Sequence, residues 1–126
     1  MKQKDIDLLI QDISSRLPYG VKVQYEDNIF DIDYISPMYE EVKLNIADNY
    51  TIGVYEIKPY LFPLSSMTEE QRKEYHNLCS VGTDECGDII YFDTYESIDY
   101  LNKNKFDYRY LIPMGLAIDA TGKNIY

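Results

Sequence analysis

One histidine and two cysteines are all that this 126-residue chain holds of the residue types that most readily bind a soft metal or act as thiolate and base. His76 and Cys79 stand three apart, which puts them on one face of a helix, and the loop that follows could return Cys86 to the same place. The result would be a mixed nitrogen and sulfur set of the kind zinc accepts, with Asp84 and Glu85 between the thiols. No C-x-x-C knuckle accompanies it. We therefore adopt the plainer reading, with Cys79 a small buried hydrophobe, His76 at the surface and no metal ligand assigned. As a nucleophile and its base, the same residues lack any mark of an orienting third group or an oxyanion hole. No catalytic residue is assigned, and a metal-binding module or enzyme centred on His76, Cys79 and Cys86 stands as the alternative.

Carboxylates are the other candidates. Asp31 and Asp33 alternate onto one face of a predicted strand, where two acids could hold a divalent ion or share general acid/base work. A sheet covered on one side carries charges on the other, so a solvated face explains them first. Asp84, Glu85 and Asp88 have neither the spacing of an EF-hand nor its closing glutamate, and Asp93, Glu96 and Asp99 lie near a predicted helix. The six glycines are scattered, which removes the clustered turn that cradles a phosphate. The pattern calls for no cofactor. Three residues remain as binding candidates: Tyr60 and Phe62, between two prolines, and Arg109, whose ordinary roles are stacking on a tyrosine or pairing with Asp107.

Composition narrows the classes. The length suits one α+β domain over 1–126. Acidic residues number 22 against 12 basic, a formal charge of −10, and no Lys/Arg cluster offsets that field. Direct nucleic-acid binding is disfavoured, whereas the same acidity suits a surface that engages a basic protein, even by imitating a phosphate backbone. No stretch approaches the roughly 20 apolar residues of a bilayer span. With aspartates inside its apolar pattern, the N-terminus makes a poor signal peptide, and the expected location is the cytoplasm. There the two cysteines should be free thiols. Tyrosine is abundant, with 14 copies beside 4 Phe and no Trp, as in half-buried sheets and interfaces alike.

The elements follow from periodicity. KQKDIDLLIQDISSRL, 2–17, sets Ile6, Leu9, Ile10, Ile13 and Leu17 at helical spacing, and Pro18 with Gly20 stops the run. VKVQYE and IFDIDYI alternate about Asp27-Asn28 as a hairpin, EVKLNI repeats the alternation, and TIGVYEIK is a fourth extended run. The links at Ser36-Pro37-Met38 and Ala47-Asp48-Asn49 are short, which predicts an antiparallel meander. Pro59 and Pro63 predict that Tyr60, Leu61 and Phe62 leave the sheet as a buried apolar plug; exposed rings would instead make this junction an interface. Ser66 and Glu69 have the spacing of a capping box for a helix to about Cys79, with Glu69 and Lys73 paired. SVGTDECGD reads as a polar loop and IIYFD as a strand. TYESIDYLNKNK reads as a helix capped by Asp93 or Thr94 with Tyr95, Ile98 and Leu101 inward, and DYRYLI as a short helix capped by Asp107.

Four segments, LPYGV at 17–21, IKPYLFPLSSMTEEQ at 57–71, YLNKNKFDYR at 100–109 and LIPMGLAIDATGKNIY at 111–126, resemble a group of small uncharacterised proteins encoded by anaerobic gut bacteria, their phages and integrated elements. The resemblance covers a little over a third of the chain and implies a setting among phage or mobile-element accessory genes. It brings no activity and no catalytic residue.

The expected fold is α+β: an N-terminal helix, an antiparallel sheet of about four to five strands, then two to three C-terminal helices packed on it. The expected function is that of a small acidic, non-enzymatic protein-binding protein, with a structural phage component as a further alternative.

Overall fold

The computed structural model describes residues 1–46 and 51–126; the expected link at Ala47-Asp48-Asn49 lies outside the described residues. The chain is α+β. Helix α1 (Gln3–Arg16) buries Leu9 and Ile13 completely and gives way to a single 3-10 turn, Leu17–Tyr19, that holds Pro18 and closes at Gly20. Strands β1 (Lys22–Tyr25) and β2 (Asn28–Ser36) form the expected hairpin, with Tyr25 opposite Asn28 and Glu26 in the left-handed region at φ 54°. β3 (Glu41–Leu44) adds to β2 past an irregularity between Ile32 and Tyr34, and β4 (Ile52–Gly53) adds to β3.

The TIGVYEIK run is broken. The Glu56 carboxylate accepts the Gly53 N–H at 2.9 Å and folds residues 54–56 into a single 3-10 turn. Strand β5 (Ile57–Pro63) then pairs antiparallel with β1, Val23 standing opposite Pro59. Between its two prolines β5 stays in the sheet, which corrects the reading of residues 60–62 as leaving it. Tyr60 and Leu61 are buried and Phe62 is half-buried, so the apolar half of that expectation holds.

Helix α2 (Glu69–Leu78) buries no residue and lies on the surface. Its cap is Thr68 with Gln71 rather than Ser66 with Glu69: the Thr68 hydroxyl accepts the Gln71 N–H, and the Gln71 side chain accepts the Thr68 N–H. Ser66 donates its hydroxyl to the Pro63 carbonyl and closes the preceding turn. The Glu69–Lys73 pair is present at 3.9 Å. The expected polar loop contributes a strand, β6 (Ser80–Thr83), which pairs with β7 (Ile89–Phe92) as a separate two-stranded ribbon. Helix α3 (Tyr95–Lys103) is capped by Thr94 with Ser97 and buries Leu101. Tyr95 is 91% exposed, not inward, because it opens the helix on its outer side.

Two short strands complete the sheet, β8 (Phe106–Asp107) and β9 (Ile118–Asp119). Both pair with β5 in parallel, so the sheet is mixed rather than antiparallel, in the order β4-β3-β2-β1-β5-β8 with β9 also on β5. The backbone between Pro59 and Pro63 explains how: Phe62 donates its N–H to the Lys105 carbonyl at 2.8 Å, and the Leu61 carbonyl accepts the Ala120 N–H at 2.8 Å. The core gathers Leu9, Ile13, Val23, Val42, Ile57 and Leu61 between α1 and the sheet. The expected short helix over 107–112 is absent: Asp107 belongs to β8, and turns follow it on either side of Tyr110. The Asp107 carboxylate does take up N–H groups, those of Leu111 and Ile112, but Tyr110 sits at φ 59° and Pro113 disfavours helix at Ile112.

Candidate interaction site

The β6–β7 ribbon stands apart from the main sheet and is anchored at its base. α2 delivers it and α3 leaves it, so the anchors are residues at the two helix ends. The Thr94 hydroxyl accepts from Ser97 N–H and donates to the Leu78 carbonyl at 2.6 Å, capping the start of α3 and the end of α2 with one group. Asp93 accepts hydrogen bonds from Tyr75 and from Ser97, and Tyr100 donates to Glu74 at 3.0 Å, which ties α2 to α3. Burial and then the neighbouring carboxylate push both phenols up: Tyr75 well above its usual range through Asp93, Tyr100 to about 12 through Glu74. Both remain neutral donors to their carboxylates. His76 is half-buried and stacks flat on Tyr91 of β7.

Beyond this base the ribbon is open. Val81 pairs with Tyr91 and Thr83 with Ile89, so Val81, Ile89 and Tyr91 share one face. Val81 and Ile89 are 64% and 63% exposed, and Phe92 on the other face, over Gly82, is 53% exposed. β6 and β7 pair only with each other, so each outer edge presents backbone N–H and C=O groups that no strand among the described residues covers. The loop is closed by Asp84, whose Oδ1 accepts the N–H groups of Cys86 and Asp88. Residues 80–102 hold Asp84, Glu85, Asp88, Asp93, Glu96 and Asp99 and no Lys or Arg. None of these six joins an ion pair among the described residues.

The sequence candidates fall elsewhere or apart. His76 stacks on an aromatic ring, Cys79 caps the end of α2 and is half-buried rather than the buried hydrophobe expected, and Cys86 is exposed at the ribbon tip; both cysteines are free. Among the described residues no three His, Cys, Asp or Glu are grouped to share an ion. Asp31 and Asp33 each have their own lysine, Lys22 at 3.0 Å and Lys43 at 3.6 Å, and so form no common site. Tyr60 is core, its carbonyl accepting the Tyr126 hydroxyl. Phe62 packs on Phe106 and Tyr126 at one wall of a cavity.

Arg109 stacks over Tyr108, as one of its ordinary readings expects, but its ion partner is Asp12 at 2.8 Å, not Asp107. Asp12 is fully buried and also takes a two-pronged contact from the equally buried Arg16, whose guanidinium donates on to the Phe106 carbonyl. This cluster staples the C-terminal segment to α1. The sequence reading did not contain it; an Asp and an Arg four apart beside the apolar stripe are the signal that could have found it.

The ribbon itself was half legible, since IIYF read as a strand and SVGT as loop. A second group of exposed side chains, Met38, Tyr39 and Tyr55, flanks the β3–β4 end, but those segments are tied into the main sheet or its turns. No helix among the described residues is long and apolar enough to cross a membrane. Comparison of the chain with protein families, curated proteins and solved structures gives no match.

Proposed function

We propose that this is a non-enzymatic binding protein that grips a basic partner protein with the β6–β7 ribbon. One observation carries the reading: a two-stranded ribbon exposes Val81, Ile89 and Phe92 together with edges that no strand among the described residues covers, inside a run of six carboxylates that join no ion pair among those residues. Exposed apolar side chains on an unshielded edge are an aggregation hazard unless something binds there. The apolar faces supply affinity, an added strand supplies backbone hydrogen bonds, and the acidic rim selects a partner that carries Lys and Arg around an apolar centre. Two copies of this chain would bring two acidic rims together, so like charges oppose a homodimer through this face.

The reading fits an accessory protein of phage or mobile-element type that occupies a host or phage protein. If the partner's basic face is one that holds nucleic acid, the rim acts as a mimic of the phosphate backbone. The test is capture from the native cell with the wild-type protein and with Ile89→Thr/Phe92→Ser. The expected result is a partner with a basic binding face, held less tightly as salt rises and lost from the double variant. Competition by duplex DNA separates the mimicry version from plain binding. A wild-type chain that self-associates in solution, and reverts to monomer on Ile89→Thr, would contradict the proposal.

A further inference from the structure

A cavity of about 390 Å³ opens at the far end of α3 from the ribbon, between the C-terminal half of β5, β8 and the tail. Its size is at the lower end of the ~300–1,000 Å³ typical of small-molecule sites. Phe62, Phe106 and Tyr126 supply aromatic walls, with Phe62 5.9 Å from Tyr126 and 6.5 Å from Phe106, centroid to centroid. The Tyr126 hydroxyl is already committed, accepting the Lys22 N–H and donating to the Tyr60 carbonyl, so its ring rather than its hydroxyl is available to a ligand.

The charge of the cavity runs against that of the chain. Lys103 and Lys105 line it and no Asp or Glu does, in a protein of net charge −10. Neither lysine joins an ion pair among the described residues. The half-buried Lys105 ammonium donates to the carbonyls of Tyr19 and Lys103, at 3.0 and 2.8 Å, and lies 5.3 Å from the Tyr126 ring centroid. An ammonium has three N–H groups, so one is left without a hydrogen-bond acceptor among the described residues. Burial, then the charges of Arg16 and Lys103, push the Lys105 amine down, the mark of a cation short of counter-charge. Lys105 also holds φ 62°, a left-handed position after a helix that glycine or asparagine occupies at less cost.

We propose that this cavity binds a small flat molecule bearing a carboxylate, its rings against Phe62 and Tyr126 and its carboxylate on Lys105 and Lys103. A phosphate group fits less well, because the lining holds a single glycine, Gly122, rather than the clustered glycines of a phosphate loop. The site is separate from the ribbon, and either can fail without the other.

The test uses the full chain, labelled with nitrogen-15, and two probes of nearly equal shape, 1-naphthoate and its neutral analogue 1-naphthamide. Naphthoate should shift the amide signals of Phe62, Lys105, Phe106 and Gly122 saturably. Naphthamide should bind about fivefold more weakly, the factor that an exposed ion pair supplies. Lys103→Gln should weaken naphthoate by a similar factor with the rest of the spectrum unchanged, since the Lys103 side chain is exposed and makes no bond among the described residues. Lys105→Gln should weaken it further, and if that variant fails to fold, Lys103→Gln decides. Equal binding of acid and amide, shifts confined to residues 80–92, or no saturable shift at the four cavity residues would each overturn the proposal.

Discussion

The imidazole of His76 lies flat on the ring of Tyr91, centroids 3.8 Å apart and planes 4° apart, and so joins the surface of α2 to the second strand of the ribbon. Among the described residues it is the one aromatic contact between the ribbon and the helix that delivers it, and it sets how firmly the ribbon is held out for a partner. Replacing His76 by Ala should cost about 0.5–1.5 kcal/mol. The loss should be local: amide exchange and proteolysis within residues 80–92 should quicken, while exchange in β1 and β5 stays as it was. Unchanged protection across the ribbon would mean that Thr94 and Asp93 alone hold its base.

The buried Asp12 is the stability counterpart of that contact. It balances Arg16 and Arg109 at once, and Arg16 has no access to water. Asp12→Asn should cost about 3–5 kcal/mol in urea unfolding, because it leaves a buried guanidinium without its counter-charge. Arg109→Gln, at a partly exposed position, should cost less, about 1–2 kcal/mol. The reverse order of these two losses would show that Arg109 rather than Arg16 is the cation Asp12 chiefly serves.

Alkaline pH should strike at Tyr126. Burial pushes its phenol from 10.0 up to about 12, only partly offset by the Lys22 N–H, and the fold therefore prefers the neutral hydroxyl. A folded pKa above the unfolded one contributes stability that is complete below pH 10 and is lost as pH climbs through about 12. Tyr100, also raised to about 12, acts in the same direction. Tyr126→Phe should start about 1–2 kcal/mol less stable at neutral pH, since Lys22 and Tyr60 lose their shared partner. It should then lose less than the wild type between pH 10 and 12 in a denaturant series.

What could be read from the chain alone was the part governed by neighbours in sequence. α1, the β1–β2 hairpin, β3 and the caps of α3 follow from apolar period and turn residues within a few positions. The course of β5 does not. Pro59 and Pro63 locally argue against a strand, yet the residues between them are paired by Lys105 and Ala120, more than forty positions on, and no short window contains those partners. Arg109 shows the same limit: Tyr108 beside it was foreseeable as a stacking partner, whereas Asp12 lies on a helix 97 residues away in sequence. At the ribbon, Ile89–Phe92 has the composition of a strand, but Ser80–Thr83, with its serine, glycine and threonine, is extended chiefly because β7 pairs with it.

The central claim is that the ribbon is the binding surface. Its most direct test is the affinity of the captured partner for the wild-type chain and for Val81→Thr/Ile89→Thr/Phe92→Ser, measured by titration calorimetry at two salt concentrations. All three side chains are largely exposed, so the triple variant should keep the thermal midpoint of the wild type to within a few degrees. The account expects a salt-sensitive wild-type complex and a loss of at least tenfold, about 1.4 kcal/mol, in the triple variant. Equal affinity of the two chains, with both folded, would contradict it.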